Sequence, residues 1–539
     1  MAFRECIAFL VFVLTGAQRG LVETAQDLSP LHRVLLPLLG GLAAGTVLWL
    51  ERRRYGRGIG GDYMESLAIG DGKIGFRRTF ARCFSSLLSI SSGGSVGREG
   101  AMVQLSAMLA SLLSRSGMRT LPSRRLLVAC GAAAGIASAY NAPVSGALFV
   151  AEIILGSIAM ESFGPLLVAA VIANLTIHHF LGYRPIFFVS SFPETTTGQI
   201  GLYLGIGLVV GLLAPLFLVL IARTKSRVES VQVPLPVKLA IGGGIVGLLS
   251  LFEPNVWGNG YGVTNRILGG EFFSARALCF LLLFKVAATT ATVGSGAIGG
   301  VFTPTLFVGA ALGALGGEGL ATWMPHSTPP VTAMTAVAMG AFLAATTQAP
   351  LTSILMVFEM TGTSRVILPL MLACVPAYAV VRVLGVKSLY AQEKPPPRGL
   401  EQRSLAPLIR PNPPTVRPHD TLHTLAEQFA VHRFQFLYVT DENLQYLGAV
   451  SLHQLLTIAD THPEQMDRPA ETLLDRQLPI LTPEMPIEQA LTQFARHHGE
   501  RLPVVDAQGR LVGAVGKTDV LLDLRDALSG GAPLATRNS

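Results

Sequence analysis

Charge is what this sequence has least of. Lysine, arginine, aspartate and glutamate make up 14% of its 539 residues, against roughly a quarter in soluble globular domains. Half of the chain is hydrophobic and 57 residues are glycine. That composition excludes disorder, a fibre and a secreted disulfide scaffold, and leaves a protein whose main solvent is lipid. The five cysteines, Cys6, Cys83, Cys130, Cys279 and Cys374, are odd in number and scattered through apolar surroundings, with neither a disulfide framework nor metal-ligand spacing. The adjacent His497 and His498 make no metal site either, because neighbouring residues on a helix point different ways.

The shortage is uneven. Residues 393–539 hold 32 charged side chains and seven of the eleven histidines, whereas the 392 residues before them hold 43 charges. The chain therefore reads as a membrane body at residues 1–392 and a water-soluble domain at 412–527. A proline-rich linker at 393–411 joins them and a disordered tail follows at 528–539. The net charge of +7 does not point to nucleic acid. Arg52, Arg53, Arg54, Arg77, Arg78, Arg124 and Arg125 lie in short loops between apolar runs and mark the cytoplasmic side of a bilayer. Residues 7–14 are too few to cross it, which takes about 20. The one basic residue ahead of them, Arg4, is offset by Glu5, so the stretch reads as the end of a truncated first helix rather than a signal peptide.

Glycine-rich breaks interrupt the apolar runs at Ser92-Gly-Gly-Ser-Val-Gly97 and Gly294-Ser-Gly-Ala-Ile-Gly-Gly300. Irregular backbone at membrane depth survives only where protein buries it or a wet cavity bathes it. Paired breaks in two halves point to a substrate site, and the halves do correspond. Asn141-Ala-Pro-Val-Ser-Gly-Ala-Leu-Phe-Val-Ala-Glu152 matches Gln348-Ala-Pro-Leu-Thr-Ser-Ile-Leu-Met-Val-Phe-Glu359 at an offset of 207, and Gly94-Ser-Val-Gly97 matches Gly296-Ala-Ile-Gly299 at 202. A duplication explains both; whether the halves run parallel or inverted is not legible at this level.

Each break runs straight into a helix, Gly97-Arg-Glu-Gly100 opening one and Gly299-Gly-Val-Phe-Thr-Pro304 the other. Helix N-termini present unpaired N–H groups and a partial positive charge, so two converging within a membrane make an anion site. Glu99 stands at one of them. A carboxylate in an apolar stretch is expensive without a purpose; this one can take the anion's place itself and leave when protonated.

These motifs, with Asn141-Ala-Pro143 and Tyr390 in Lys387-Ser-Leu-Tyr390, resemble the CLC family of chloride channels and chloride/proton exchangers over roughly residues 10 to 392. The resemblance implies an all-α polytopic membrane protein of inverted-repeat fold, a homodimer in the lipid bilayer with one anion pathway per subunit. It implies transport rather than enzymatic catalysis, with chloride as the transported ion and no required cofactor. It further implies backbone amides of Arg98, Glu99, Gly100, Val301 and Phe302 as anion ligands, Glu99 as the gate, and the Tyr390 hydroxyl as a donor at the central site. A bacterial inner membrane is the expected location.

Two departures from the family pattern bear on function. Where the family has Gly-Ser-Gly-Ile-Pro, this chain has Gly56-Arg-Gly-Ile-Gly60, so Arg57 replaces a serine that contributes to the central anion site. Its guanidinium either reaches that site or points to the cytoplasm, and the cost of burying it unpaired favours the cytoplasm. Where exchangers carry an inward-facing glutamate that relays protons, this chain has Ile153, which carries none. The adjacent Glu152 lies about 100° around the helix.

Residues 412–527 hold their own repeat. Arg417-Pro418, Phe429 and Gly448-Ala-Val450 recur as Thr482-Pro483, Phe494 and Gly513-Ala-Val515, all at an offset of 65. Each unit reads as a short strand, an amphipathic helix (421–432 and 487–498), two strands and a final helix. This α+β pair resembles tandem CBS domains, expected on the cytoplasmic side, which can bind adenine nucleotides. The nucleotide signature is split: Ser451 is present in one unit and Asp519 in the other, and neither unit holds both. A structural or interface role is favoured over nucleotide sensing.

The leading expectation is a passive chloride channel gated by protonation and displacement of Glu99. A proton-coupled chloride exchanger that bypasses Ile153, a fluoride exporter, and a nucleotide sensor with vestigial transport are the competing readings.

Overall fold

The computed structural model describes residues 2–16, 20–55, 62–68, 72–117, 121–182, 185–189, 192–324, 329–391, 404–432, 434–496 and 500–528. Arg57, His497, His498, most of the linker and residues 529–539 of the tail lie outside these. The chain divides into two compact units, residues 1–392 and 393–539.

The described part of the first unit is helical. Its elements are α1 (Ala2–Thr15), α2 (Leu21–Asp27), α3 (Pro30–Tyr55), α4 (Tyr63–Ala68), α5 (Phe76–Ser91), α6 (Glu99–Gly117), α7 (Leu121–Tyr140), α8 (Pro143–Phe149), α9 (Met160–Leu181), α10 (Ile200–Ser230), α11 (Leu235–Phe252), α12 (Tyr261–Leu268), α13 (Ala275–Gly294), α14 (Phe302–Trp323), α15 (Val331–Thr347), α16 (Pro350–Thr361) and α17 (Ile367–Val383). Among the described residues, seven helical stretches, at α3, α9, α10, α11, α13, α14 and α17, are long and apolar enough to cross a membrane. The others are shorter, broken or less apolar. Helix α15 is apolar all round and buried along its whole length apart from its first residue, as a helix enclosed by other helices must be.

Glycine lets α3 and α11 lie against each other. A Cβ on Gly41 would stand 2.3 Å from the Leu239 carbonyl oxygen, and one on Gly45 2.6 Å from Pro236 Cα. In return, a Cβ on Gly243 would stand 1.9 Å from the Pro37 oxygen and one on Gly247 2.7 Å from Val34 Cα. The two helices are antiparallel, each presenting glycines four residues apart to the other's backbone, the small-residue packing that holds helices together where water supplies no hydrophobic drive.

The internal repeat has a structural counterpart. Pro143 and Pro350 open α8 and α16 at the position where a missing N–H costs nothing. The residues two before them, Asn141 (φ 51°) and Gln348 (φ 56°), both take the left-handed conformation that non-glycine residues rarely adopt.

The described residues of the second unit form α18 (Leu422–His432), α19 (Leu452–Thr461), α20 (Ile487–Arg496) and α21 (Lys517–Leu528) with five strands. Strand β1 (Thr415–Val416) pairs parallel with β2 (Phe436–Thr440), which pairs antiparallel with β3 (Tyr446–Ser451). The second half keeps the antiparallel pair β4 (Arg501–Val505) and β5 (Leu511–Gly516) and reduces its first strand to one bridge, Leu481 to Val504. Leu405 and Leu408 fall in the stretch read as linker, yet they are buried in the core of the second half with Ile487 and Phe494. The packed domain therefore begins before residue 412.

Candidate anion site

The two glycine breaks meet. Gly97 N–H donates to the Gly300 carbonyl at 2.7 Å and Gly300 N–H to the Gly97 carbonyl at 2.8 Å. This reciprocal pair sets the first residue of α6, Glu99, beside the start of α14. Only glycine fits around the Glu99 side chain here. A Cβ on Gly97 would stand 2.0 Å from Glu99 Oε1, and one on Gly300 2.4 Å from its carboxyl carbon.

Glu99 is 5% exposed. Its Oε1 accepts hydrogen bonds from the Thr303 N–H and the Thr303 hydroxyl, both at 3.1 Å. Thr303 is the second residue of α14, so this N–H belongs to the set a helix leaves without an internal partner. Glu99 Oε2 has no hydrogen-bond partner of normal geometry, and neither does the Tyr140 hydroxyl, which lies close enough to the carboxyl group to interact with it. The carboxylate is thus held by one oxygen on a helix N-terminus. The Arg98 guanidinium is not part of this contact; it lies 5.9 Å from the centre of the Tyr261 ring, whose hydroxyl is 3.4 Å from Thr303 Oγ1.

Glu99, Gly100, Val301, Phe302 and Tyr390 line one cavity of about 470 Å³. Aromatic rings wall it: Phe302 lies 4.7 Å from Tyr140 and 6.0 Å from Phe149, which meets Tyr390 edge-on at 5.4 Å. The cavity also reaches Arg52, Arg82 and Lys225 and the acids Glu51, Asp62 and Glu229. Glu51 pairs with Arg78 at 3.5 Å and Asp62 with Arg82 at 3.1 Å, so two of the three acids have a guanidinium partner. Asp62 also accepts from the Met64 N–H, which caps α4.

Five of the seven anion-site residues expected from the sequence therefore share one cavity. Arg57 lies outside the described residues, and Arg98 is not among the residues that line the cavity. Thr303 and Tyr140 were missed. Thr303 lies within Gly299-Gly-Val-Phe-Thr-Pro304 and Tyr140 precedes Asn141-Ala-Pro143; the signal for Thr303 is a hydroxyl in the first turn of a helix that opens on a glycine break.

Ile153 sits half-buried against the apolar core, in a π-helical turn at Val150–Leu155. Its neighbour Glu152 is occupied elsewhere. Glu152 Oε2 accepts from the Thr352 N–H at 2.8 Å and its hydroxyl at 2.7 Å, and Oε1 from the Leu351 N–H at 3.4 Å, which caps α16.

In the second unit, Ser451 and Asp519 make separate contacts. Ser451 Oγ accepts from the His453 N–H and caps α19; Asp519 accepts from Arg410 Nη2 at 2.8 Å. A cleft of about 500 Å³ lies nearby, lined by Arg410, Phe434, Phe436, Tyr438 and Arg501 among others. The Arg501 guanidinium stacks 4.5 Å over the Phe434 ring, and burial pushes the Tyr438 hydroxyl well above the ordinary tyrosine range.

The voltage gated chloride channel family model matches residues 39–382, and the CBS domain model matches 405–460 and 470–526. A putative chloride channel protein, ClcB-like, from Ralstonia nicotianae is 48% identical over 73% of this chain and 92% of its own length. The voltage-gated ClC-type chloride channel ClcB of Citrobacter koseri is 39% identical over 72% and 94%. Among solved structures, a slow cyanobacterial Cl−/H+ antiporter superposes with a TM-score of 0.64 at 24% identity, covering 72% of this chain and 92% of that one. With a family model covering well over half of its length, this chain belongs to the voltage gated chloride channel, or CLC, family of membrane anion transport proteins and carries a pair of CBS domains at its C-terminus.

Proposed function

We propose that this protein conducts chloride passively, and that Glu99 is its gate. The observation that carries this reading is the seat of the Glu99 carboxylate: one oxygen rests on the α14 N-terminus at Thr303 and the other has no hydrogen bond. A helix N-terminus favours any anion, so chloride competes with the carboxylate for the same N–H groups. Protonation removes the charge that holds Glu99 there. The backbone amides of Arg98, Glu99, Gly100, Val301 and Phe302, with the Tyr390 hydroxyl, then face the ion along the cavity.

Passive conduction is preferred to proton-coupled exchange because neither candidate relay is available. Ile153 has no titratable group, and Glu152 is committed to capping α16. The test is the reversal potential of the purified protein in liposomes, with the chloride gradient fixed and the pH gradient varied. A value that stays at the chloride equilibrium potential supports a channel. A value that moves with pH overturns it in favour of a proton-coupled chloride antiporter, and repeating the measurement in fluoride tells a fluoride antiporter apart.

The chain acts as a homodimer in a bacterial inner membrane, with the CBS pair cytoplasmic. The exposed apolar residues Val168, Ile172 and Leu175 on α9 and Leu368, Met371 and Val375 on α17 supply a face for a second copy. At the CBS cleft, the two arginines and the aromatic wall suit an adenine nucleotide, with Arg410 rather than Ser451 or Asp519 as its phosphate contact. Calorimetric titration of ATP into wild-type protein and Arg410→Ala tests this: binding lost in the variant supports it, and equal heats overturn it.

A further inference from the structure

We propose that the headgroup of an anionic phospholipid binds where α3 ends against the start of α11, and that it acts on the anion pathway through Arg52. A cavity of about 300 Å³ at this point is lined by Trp49, Arg52, Arg53, Val233, Leu235 and Lys238. Three of the six lining residues are cations and none is a carboxylate, a composition that calls for an anion. The cations come from both helices and are fixed relative to each other by the interlocked glycines beneath them, where Gly45 meets Pro236. The Arg53 guanidinium lies 5.3 Å from the centre of the Trp49 ring, and Lys238 Nζ donates to the Val228 carbonyl at 2.6 Å. The ammonium carries three donors, so that bond does not exhaust it.

The surroundings favour a lipid over a free anion. Leu42 and Trp49 on α3, seven residues apart and so on one face, are exposed, as are Val237, Ile241 and Ile245 on α11. Both are membrane-length apolar helices, so these side chains meet acyl chains, and a tryptophan at the end of such a run marks the headgroup level. A phospholipid uses the whole feature, its phosphate on the cations and its chains along the apolar face. Free phosphate uses only the basic end.

Arg52 connects this cavity to transport, because it also lines the anion cavity that contains Glu99 and Tyr390. That cavity is lined by three cations and four carboxylates, and Arg52 supplies part of the positive charge that draws chloride in and raises its entry rate. A phosphate held against Arg52 cancels part of that charge and slows entry. Retention of lipid does not depend on chloride passage, whereas the effect on flux rests on the transport reading above, so the two fail separately.

The experiment compares wild type, Arg53→Gln/Lys238→Gln and the charge-preserving Arg53→Lys/Lys238→Arg, each full length. Every protein is reconstituted in phosphatidylcholine vesicles with and without phosphatidylglycerol. Native mass spectrometry reads retained lipid, and chloride efflux reads function. Wild type and the charge-preserving protein are expected to retain phosphatidylglycerol, and the Gln variant about thirtyfold less, two basic contacts to an anionic lipid having been removed. Wild-type flux is expected to fall when phosphatidylglycerol is added, and the Gln variant's flux to respond much less. Equal retention by all three proteins overturns the site. An equal fall in flux in wild type and Gln variant is the surface potential of the bilayer and overturns the link through Arg52. Inhibition of wild type, but not of the variant, by inorganic phosphate in neutral vesicles overturns the lipid as the occupant in favour of the free anion.

Discussion

Glu152 and Glu359, 207 residues apart, each cap a helix that belongs to the other's half of the membrane unit. Glu152 takes the Thr352 N–H and hydroxyl at the start of α16. Glu359 takes the Ser145 N–H at 2.8 Å, the Ser145 hydroxyl at 2.5 Å and the Val144 N–H at 3.0 Å at the start of α8. Donors and acceptors alike are separated by 207, so the exchange maps one half onto the other. Hydrogen bonds to a charged group contribute about 1.5–3 kcal/mol each, and an amide offers one acceptor oxygen where a carboxylate offers two.

Glu152→Gln and Glu359→Gln are therefore expected to destabilise the protein by similar amounts, about 1–3 kcal/mol each, measured by thermal unfolding in detergent. The reversal potential of Glu152→Gln should not move. A change there would place Glu152 on a proton route rather than at a helix cap.

Adjacent glycines on α11 make a sharper stability test. Alanine at Gly243 would put a methyl 1.9 Å from the Pro37 oxygen, whereas at Gly244 it meets only Leu38 Cδ1 at 3.4 Å. Both changes gain the same helix propensity, about 1 kcal/mol. Gly243→Ala must also part α3 from α11, and is expected to lose about 1–3 kcal/mol overall, while Gly244→Ala is neutral or slightly stabilising. Equal melting temperatures for the two variants would show that the helices are not held at glycine distance.

The repeats were legible because duplication leaves side chains in register. The offset of 65 places β4 and β5 on β2 and β3, and Gln445 pairs across its axis with Arg510, its own counterpart. What the sequence could not carry was contact between breaks. The Gly97–Gly300 bridge joins residues 203 apart that have no complementary chemistry beyond their backbones, and Thr303 becomes the partner of Glu99 only once that bridge forms. The same holds in the second unit. Arg410 sits in a stretch whose prolines read as linker, yet its backbone pairs with Ala514 and its side chain takes Asp519, so the aspartate that matched a nucleotide pattern has a protein partner.

Lys285 is fully buried in α13, its Nζ donating to the Val256 and Gly258 carbonyls at 2.9 and 2.7 Å, with the Phe307 ring centre 5.4 Å away. Trp257, between those carbonyls, lies against Gly93, where a Cβ would stand 2.6 Å from the indole and φ is 105°. The lysine thus ties down the turn that supports the first glycine break. Lys285→Met keeps most of the volume but strands two buried carbonyls, at a cost of about 1–3 kcal/mol each. A clear fall in melting temperature is expected, and an unchanged one would mean that the turn finds other donors.

Three substitutions disturb the seat of Glu99 in different ways. Glu99→Gln removes the charge and should raise chloride flux and abolish most of its pH dependence. Gly97→Ala leaves Glu99 intact but places a methyl 2.0 Å from its Oε1; since a side chain moves more easily than the paired backbone, the carboxylate is displaced and the variant should behave like Glu99→Gln. Thr303→Val keeps the N–H and removes the hydroxyl donor. One charge-assisted hydrogen bond, about 1.5–3 kcal/mol, sets the seated against the displaced form, so the open fraction at fixed pH should rise by about tenfold or more. Chloride efflux from liposomes across a pH series reads all three. A Gly97→Ala protein with wild-type flux and wild-type pH response would mean that the carboxylate does not rest between the glycine breaks in the closed state, and the gate would have to be sought at another residue of the cavity.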